Sequence, residues 1–224
     1  MDSMALSDLR SAGIVAVLRA PSADSAVATV DALVRGGVTG VEITFSTPGA
    51  AEAIERVHER YGDGVHLGAG TVLEAEQAVS AVEAGARFLV SPGSEPALAA
   101  AMAGTGAAIL LGALTPTEVM TARRLGSTAV KIFPASLGGP GYLRSLRGPF
   151  PDVPLMPTGG VTADNLVDWF RAGAVAVGAG SDLCAAAAMA TGDWDGIEET
   201  ARRFAQALRV VPAELRGART DARP

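Results

Sequence analysis

Short apolar segments of strand length recur along the chain, and each is followed by a longer segment with helical periodicity. The segments between the apolar runs, such as EAEQAVSAVEAGA and ADNLVDWFRAGA, are rich in alanine and amphipathic, as expected of helices that pack on a sheet. The apolar runs have the length and composition of buried strands. Eight strands are predicted, over residues 14–18, 40–45, 66–72, 88–93, 107–113, 129–134, 154–160 and 174–183.

Signals for helix ends agree with this division. The segment TPTE places Thr115 at an N-cap, Pro116 at the first helical position and Glu118 where it completes a capping box. The segment VTADN offers Thr162 as a second N-cap. Four predicted helices end in glycine just before a strand. These glycines are Gly37, Gly85, Gly126 and Gly173.

Eight strand–helix units in just over 200 residues predict an α/β fold, a single (β/α)8 barrel, over residues 1–210. Residues 211–224 become polar and end in proline, so we expect them to form a flexible tail. The alternative is a doubly wound open sheet, for which a dinucleotide fingerprint after the first strand would be typical. The segment VLRAPSAD at that place is not GxGxxG, which favours the barrel.

Composition narrows the classes of function. The chain of 224 residues is 49% hydrophobic and 4% aromatic and has a net charge of −6, which argues against nucleic acid or an anionic membrane as partner. It has no apolar run of 18 residues and no signal-peptide pattern, so a cytoplasmic protein without a membrane span is expected. One cysteine and two histidines allow neither an internal disulfide nor a zinc ligand set.

The one lysine of the chain, Lys131, lies in the predicted strand AVKIFP, although the other 17 basic residues are arginine. Strand side chains alternate between faces, so Lys131 shares its face with Ala129 and Phe133. In the predicted strand GVEITF, Glu42 shares its face with Thr44. The aliphatic faces are expected to contact the helices, which leaves Lys131 and Glu42 pointing into the barrel.

An acid and an amine inside one barrel are costly unless they are paired or used. A structural ion pair is one explanation, but such pairs add little stability over apolar residues. Catalysis is the other, because loss of water favours the neutral amine, which can attack a carbonyl and form a Schiff base. A neighbouring carboxylate can then move protons. Arginine cannot form the imine, so this chemistry explains a lysine in a chain that otherwise uses arginine.

Glycine-rich segments end the last two strands: PTGGV ends the seventh and GAGSDL the eighth. Barrels commonly hold a phosphate there through backbone N–H groups. Thr71, at the end of the third strand, is a candidate donor to a carboxylate or a cap. Arg19, at the end of the first, is a candidate anion clamp or a surface charge. The predicted phosphate-binding residues are Gly159, Gly160, Gly180 and Ser181.

The motifs GGVTGVEIT, GAGTVL, VSPG, VKIFPAS with GGPGYLRSLRGPFP, and PTGGV together resemble the 2-keto-3-deoxy-6-phosphogluconate (KDPG) aldolase family, which includes 4-hydroxy-2-oxoglutarate aldolases. The likeness runs from about Ile14 to Leu208. It implies a class I aldolase on a (β/α)8 barrel, usually a homotrimer, that needs no metal and no other cofactor. The implied reaction splits KDPG, a phosphorylated 2-keto-3-deoxy sugar acid, into pyruvate and glyceraldehyde 3-phosphate.

The resemblance also implies roles for single residues. Lys131 is similar to the Schiff-base lysine, and Glu42 to the general acid/base, which works partly through a water. Thr71 is similar to a ligand of the pyruvyl carboxylate, and the four glycine-loop residues to the phosphate site. The residues that resemble the walls of the imine pocket are Pro92, Phe133 and Thr158.

One position departs from the gluconate pattern. Gluconate-type members carry arginine four residues after the glutamate, and Ser46 stands there in this chain. Galactonate-type members also lack that arginine and have one at the end of the first strand, as Arg19 is here. The segments PTGGV and GPF resemble the gluconate type, whereas GSDL at 180–183 resembles the galactonate type.

Four alternatives to KDPG cleavage remain at this stage. The substrate could be the 2-keto-3-deoxy-6-phosphogalactonate epimer, or 4-hydroxy-2-oxoglutarate, which lacks the phosphate that the glycine loops would bind. Outside the aldolases, a phosphosugar isomerase or epimerase on a similar barrel would need no imine. A non-catalytic phosphosugar-binding barrel would tolerate the loss of Lys131 or Glu42.

Overall fold

The computed structural model describes residues 2–216, and the side chains of residues 6–216. Eight parallel strands alternate with helices along the chain. The strands are β1 (Ile14–Leu18), β2 (Gly40–Thr44), β3 (His66–Gly70), β4 (Phe88–Val90), β5 (Ala108–Ala113), β6 (Ala129–Ile132), β7 (Leu155–Pro157) and β8 (Val177–Ala179).

The strands form one closed sheet. Each strand from β1 to β6 pairs with the next in the sequence, and β8 returns to pair with β1. The seam between β7 and β8 is closed by two parallel bridges, Leu155 with Ala174 and Thr158 with Gly178. The predicted single (β/α)8 barrel is confirmed.

Helices surround the barrel and follow the strands. Short 3-10 turns lie at Gly62–Gly64 and Ala135–Leu137. None of the helices in the described part of the chain is long and apolar enough to cross a membrane. The helices are α1 (Asp2–Ala12), α2 (Ala23–Arg35), α3 (Ala50–Tyr61), α4 (Ala75–Glu83), α5 (Pro96–Gly104), α6 (Pro116–Arg124), α7 (Gly139–Arg147), α8 (Leu166–Arg171), α9 (Ala186–Thr191), α10 (Trp194–Arg209) and α11 (Ala213–Arg216).

Several strands are shorter at their carboxyl ends than the apolar pattern predicts. The prediction 88–93 corresponds to β4 at Phe88–Val90, and 174–183 to β8 at Val177–Ala179. The residues beyond β4 leave the sheet because Ser91 Oγ donates a hydrogen bond to Gly93 O at 2.6 Å and closes a turn. The chain beyond β8 turns in the same way, since the amides of Leu183 and Cys184 both donate to Gly180 O. The pattern therefore gave the strands correctly but extended them into the loops that form the barrel mouth.

The helix-end predictions held at all but one position. Thr115 caps α6, with Glu118 completing the capping box, as predicted. Thr162 does not cap α8, which begins at Leu166 after Asn165; it exchanges hydrogen bonds with Asn165 in the preceding turn instead. The four glycines that end helices all adopt left-handed backbone angles, φ between 84° and 105°, which close the last turn without a Cβ clash.

Two apolar layers follow from strand alternation. Val41 and Ile43 of β2, like Val130 and Ile132 of β6, belong to the layer between barrel and helices. The second layer fills the half of the barrel interior that lies toward the amino-terminal ends of the strands. It consists of Leu9, Val15, Phe88, Val90, Leu110, Ala129, Met156 and Ala176. The amino-terminal end of the barrel interior is therefore apolar. The inward-facing charged residues of the barrel lie toward the carboxyl ends of the strands.

Residues 217–224 of the segment expected to form a tail lie outside the described residues. Before them, Val211 is 1% exposed and packs against the outer apolar layer, and α11 follows.

His66, at the start of β3, lies in the apolar, amino-terminal end of the barrel. Its ring stacks on Phe88, with 4.9 Å between ring centroids, and its Nε2 is buried without a hydrogen-bond partner in the described part of the chain. Burial lowers the pKa of His66; the Arg87 charge acts in the same direction, and Asp8 opposes both. The folded state therefore favours the neutral ring.

This burial predicts an acid-sensitive contribution to stability. Because the pKa of His66 is lower in the folded chain than its unfolded value of about 6.5, the unfolded state binds more protons, and stability is lost as pH falls through that value. For one proton the slope is at most about 1.4 kcal/mol per pH unit. Urea unfolding at pH 7.5 and 5.5 should show a smaller loss for His66→Gln than for the wild type. The matched change at exposed His58, His58→Gln, should leave the wild-type loss unchanged; an equal loss in all three proteins would contradict the assignment.

Candidate active site

Lys131 and Glu42 meet inside the barrel, near the carboxyl ends of β6 and β2. Lys131 Nζ donates a hydrogen bond to Glu42 Oε1 at 3.3 Å. The side chains are 6% and 0% exposed, respectively. Both point inward, as strand alternation predicted. A separation of this size permits direct proton transfer between the amine and the carboxylate.

Glu42 has its place because the neighbouring strand carries glycine. In the pairing of β2 with β3, Thr44 lies beside Gly70, and a Cβ on Gly70 would overlap the Glu42 carboxylate. The second carboxylate oxygen, Oε2, is buried and accepts no hydrogen bond from the described residues. An unpaired buried acceptor is costly, so this oxygen is suited to bind water or a ligand.

Phe133 and Pro92 lie at the mouth near Lys131. The Lys131 ammonium lies 5.5 Å from the centroid of the Phe133 ring, which is 41% exposed. The Phe133–Pro134 peptide bond is cis. Gly112 of β5 pairs with Lys131, and a Cβ there would overlap the Pro92 carbonyl, so the turn after β4 folds over β5 beside the lysine.

Thr71 has a backbone conformation unusual for threonine. Directly after β3, it is the one non-glycine residue in the described part of the chain with positive φ, at 52°. This left-handed conformation costs an L residue roughly 1–2 kcal/mol. Local strain of this kind is typical of ligand sites, and Thr71 directly follows Gly70, the residue that lies against the Glu42 carboxylate.

Thr158, after β7, presents a second unpartnered polar atom. It is 4% exposed, and its buried Oγ1 has no hydrogen-bond partner among the described residues. A Cβ on Gly178, the residue that bridges to it from β8, would overlap this hydroxyl. The hydroxyl therefore occupies space that only glycine leaves open.

The glycine loops after β7 and β8 are joined by this same bridge. Gly159 and Gly160 have φ of 97° and 72°. The backbone N–H groups of Gly160, Gly180 and Ser181 donate to no acceptor among the described residues. Free N–H groups on two adjoining loops are suited to bind an anion.

Arg19 lies on the rim directly after β1 and is exposed. Its Nε donates a hydrogen bond to Ser46 Oγ at 2.6 Å. No carboxylate of the described residues forms an ion pair with it. The structure thus brings Arg19 into contact with the residue at which the sequence departs from the gluconate pattern.

Sequence reasoning missed the partners that shape this mouth. Thr44, which hydrogen-bonds to Ser46, and the inward-facing glycines 70, 112 and 178 were given no role. The glycines carried a signal, because glycine inside a strand often marks a close approach of a side chain or of backbone.

Cys184 lies beyond the loop after β8, and burial raises the pKa of its thiol to about 12, so it is not a nucleophile.

Fold and site define the class of the protein. An amine, a carboxylate, two threonines and free backbone N–H groups gather at the carboxyl ends of the strands, where (β/α)8-barrel enzymes carry their active sites. The protein belongs to this class of barrel enzymes.

Comparison with known proteins gives the family. A family model described as KDPG and KHG aldolase matches residues 6–200. The 2-dehydro-3-deoxy-6-phosphogalactonate aldolase of Escherichia coli (strain K12) is 37% identical over 171 residues, which cover 76% of this chain and 83% of the relative. The 2-dehydro-3-deoxy-phosphogluconate aldolase of Treponema pallidum (strain Nichols) is 37% identical over 199 residues, 88% of this chain and 94% of the relative.

A solved structure agrees with these relatives. The KDPG aldolase from Legionella pneumophila, with pyruvate captured as a covalent carbinolamine intermediate, matches with a TM-score of 0.83 and 29% identity over 91% of this chain and 99% of that one. The chain belongs to the KDPG and KHG aldolase family and is an aldolase, a carbon–carbon lyase.

Proposed function

We propose that the chain is a class I aldolase that cleaves KDPG into pyruvate and glyceraldehyde 3-phosphate through a Schiff base on Lys131. The observation that carries this proposal is the buried pair of Lys131 and Glu42, 3.3 Å apart at the barrel mouth. The pyruvate carbinolamine captured in the L. pneumophila relative supports covalent chemistry at such a site.

Imine formation begins with proton transfer within the pair. Lys131 passes a proton to Glu42, which leaves a neutral amine and a carboxylic acid. The amine adds to the C2 carbonyl of the substrate and forms a carbinolamine. Its hydroxyl takes a proton from the carboxylic acid and leaves as water, so that Lys131 is joined to C2 as an iminium ion.

Cleavage then uses the iminium ion as an electron sink. The Glu42 carboxylate, directly or through a water at Oε2, removes the proton of the C4 hydroxyl. The C3–C4 bond breaks, its electron pair moves toward the iminium nitrogen to give an enamine, and the aldehyde leaves. Glu42 returns the proton to C3, and hydrolysis of the resulting imine releases pyruvate and the free lysine.

The remaining site residues bind different parts of the substrate. Thr71 binds the carboxylate next to the imine, and Pro92, Phe133 and Thr158 enclose the imine. The free N–H groups of the two glycine loops bind the phosphate, which supports a phosphorylated substrate over 4-hydroxy-2-oxoglutarate. The homotrimer that the resemblance implies stays a prediction, which the particle mass in solution would test.

A specific observation keeps the galactonate epimer as second candidate. Arg19 contacts Ser46, so its guanidinium lies near the place where gluconate-type members carry their arginine. If Arg19 supplies that charge from the end of the first strand, the guanidinium reaches the substrate from a different side than in gluconate-type members. The preferred configuration of the C4 hydroxyl then depends on that side. Parallel assays of cleavage with both epimers separate the two candidates. A higher kcat/KM for the galactonate compound than for KDPG would make the galactonate compound the preferred substrate and would contradict the assignment of KDPG.

The chemistry itself is tested by trapping. Incubation with pyruvate and sodium borohydride should add one reduced pyruvyl group to the intact mass, and peptide mapping should locate it at Lys131. Lack of an adduct in folded protein would overturn the Schiff-base proposal and favour an isomerase or a binding protein.

A further inference from the structure

Three hydrogen bonds link Arg19 to the end of its own strand through two side chains of the neighbouring strand and its loop. Arg19 Nε bonds to Ser46 Oγ at 2.6 Å, and Ser46 Oγ lies 2.8 Å from Thr44 Oγ1. Thr44 Oγ1 in turn donates to the carbonyl oxygen of Leu18 at 3.0 Å. Thr44 is fully buried, whereas Arg19 and Ser46 lie at the exposed rim.

The donor and acceptor of each of these three hydrogen bonds are fixed by the number of hydrogens that each group carries. A hydroxyl has one hydrogen, and that of Thr44 is used on Leu18 O. The contact between Ser46 and Thr44 therefore requires Ser46 to donate. Ser46 Oγ then has only lone pairs left for its third neighbour, and Arg19 Nε can only donate. The order Arg19, Ser46, Thr44, Leu18 O is thus a one-way series of donors that ends on a buried backbone acceptor.

This series holds one edge of the guanidinium and leaves the other available. The Nε–H is bound to Ser46, while no carboxylate of residues 6–216 pairs with the two terminal nitrogens. Strand register places Arg19 between two neighbouring strands of the site. On one side, Leu18 lies beside Ile43 of β2. On the other side, Ala16 lies beside Ala179 of β8, which leads into the second glycine loop. A guanidinium held here lies between the Glu42 strand and the loop proposed to bind phosphate.

We propose that Ser46 is a positioning residue that aims Arg19 at the part of the substrate beyond the C3–C4 bond, which carries the hydroxyls and the phosphate. This inference rests on the proposed aldolase function. The series limits the rotamers of a flexible, exposed side chain before substrate arrives, so less ordering entropy is lost on binding. Ser46 acts through Arg19, and its loss should weaken binding of the phosphorylated substrate but leave the reaction of pyruvate with Lys131 unchanged.

The main test uses Ser46→Ala, Arg19→Ala and the double variant, assayed for cleavage of the epimer that the wild type prefers. For Ser46→Ala we expect KM to rise about three- to tenfold with kcat within about twofold, the size of one hydrogen bond to a charged group in a partly exposed place. Arg19→Ala should raise KM further. The double variant should match Arg19→Ala, because Ser46 has no role once the guanidinium is gone.

Two further variants separate positioning from a structural role. Ser46→Thr keeps the hydroxyl and should recover most of the wild-type KM, while Thr44→Val removes the acceptor for Ser46 and should raise KM as Ser46→Ala does. Ser145→Ala makes the same chemical change at an exposed serine on α7 that bonds only to its own helix, and should have no effect.

The outcomes distinguish this inference from the function on which it rests. Half-saturation for pyruvate in borohydride trapping should be equal in the wild type, Ser46→Ala and Arg19→Ala. An unchanged KM in Ser46→Ala, or additive effects in the double variant, would overturn the role of Ser46 alone. Failure of the wild type both to trap pyruvate and to cleave either epimer would overturn the proposed function, and this inference with it.

Discussion

Replacing Lys131 with alanine is expected to abolish aldol cleavage. Lys131 is the only lysine of the chain, so no other side-chain amine can form the imine. Loss of a covalent nucleophile typically lowers kcat by roughly four orders of magnitude or more. Release of pyruvate, followed through its enzymatic reduction by NADH, measures the cleavage rate, and borohydride trapping should give no adduct within the barrel.

Stability must be separated from chemistry in this experiment. Glu42 is 0% exposed, and removal of one partner of a buried ion pair destabilises a protein by about 3–5 kcal/mol. Lys131→Arg is the matched control, because it keeps a cation facing Glu42 but cannot form an imine. It should recover much of the lost stability and none of the activity. Cleavage within about tenfold of the wild-type kcat in folded Lys131→Arg would rule out the Schiff base.

The second large effect is expected at Glu42. Glu42→Gln keeps the shape of the side chain and an oxygen that accepts the Lys131 hydrogen bond, but it can no longer take up and return a proton. General acid–base catalysis contributes about 10²- to 10⁴-fold, so kcat should fall by that factor. Substrate binding is largely independent of this proton transfer, and KM should stay within about threefold. Steady-state kinetics at several substrate concentrations measures both.

A control and a decisive contrary result are available for Glu42 as well. Glu76→Gln makes the same change at an exposed position on α4 and should leave both constants unchanged. Slower formation of the pyruvate adduct in Glu42→Gln, with the same final extent, would be consistent with proton transfer in imine formation. A rise in KM at constant kcat would instead make Glu42 a substrate-binding residue.

Strand alternation carried most of the fold and the centre of the site. A repeat of two residues assigns each side chain to one face, so Lys131 and Glu42 could be placed inside the barrel from two short segments of sequence. The apolar runs located all eight strands, including β7 and β8, which have only three residues each. Closure of the seam between them depends on isolated bridges, which leave no mark in the hydrophobic pattern.

The sequence could not show how the loops arrange the rim. Arg19 and Ser46 are 27 residues apart, and their contact depends on how the chain turns after each strand. The left-handed conformation of Thr71 is likewise hidden, because threonine normally avoids it. Among the described side chains of helix α1, residues 6–12, Leu9 is the one in the buried interior layer, and one apolar position is too weak a pattern to predict a helix.

The space that Gly70 leaves for the Glu42 carboxylate has an evolutionary consequence. Any side chain at position 70 would displace the acid, and a shorter acid at position 42 would no longer fill the gap or reach the lysine in the same way. Each residue is therefore tolerable only with the other, so the two positions are expected to drift together or not at all among descendants of this chain. Under the proposed mechanism, a lineage that lost the glycine first would pass through an inactive ancestor, and such a barrier can hold a pair of residues constant long after the surrounding helices have diverged.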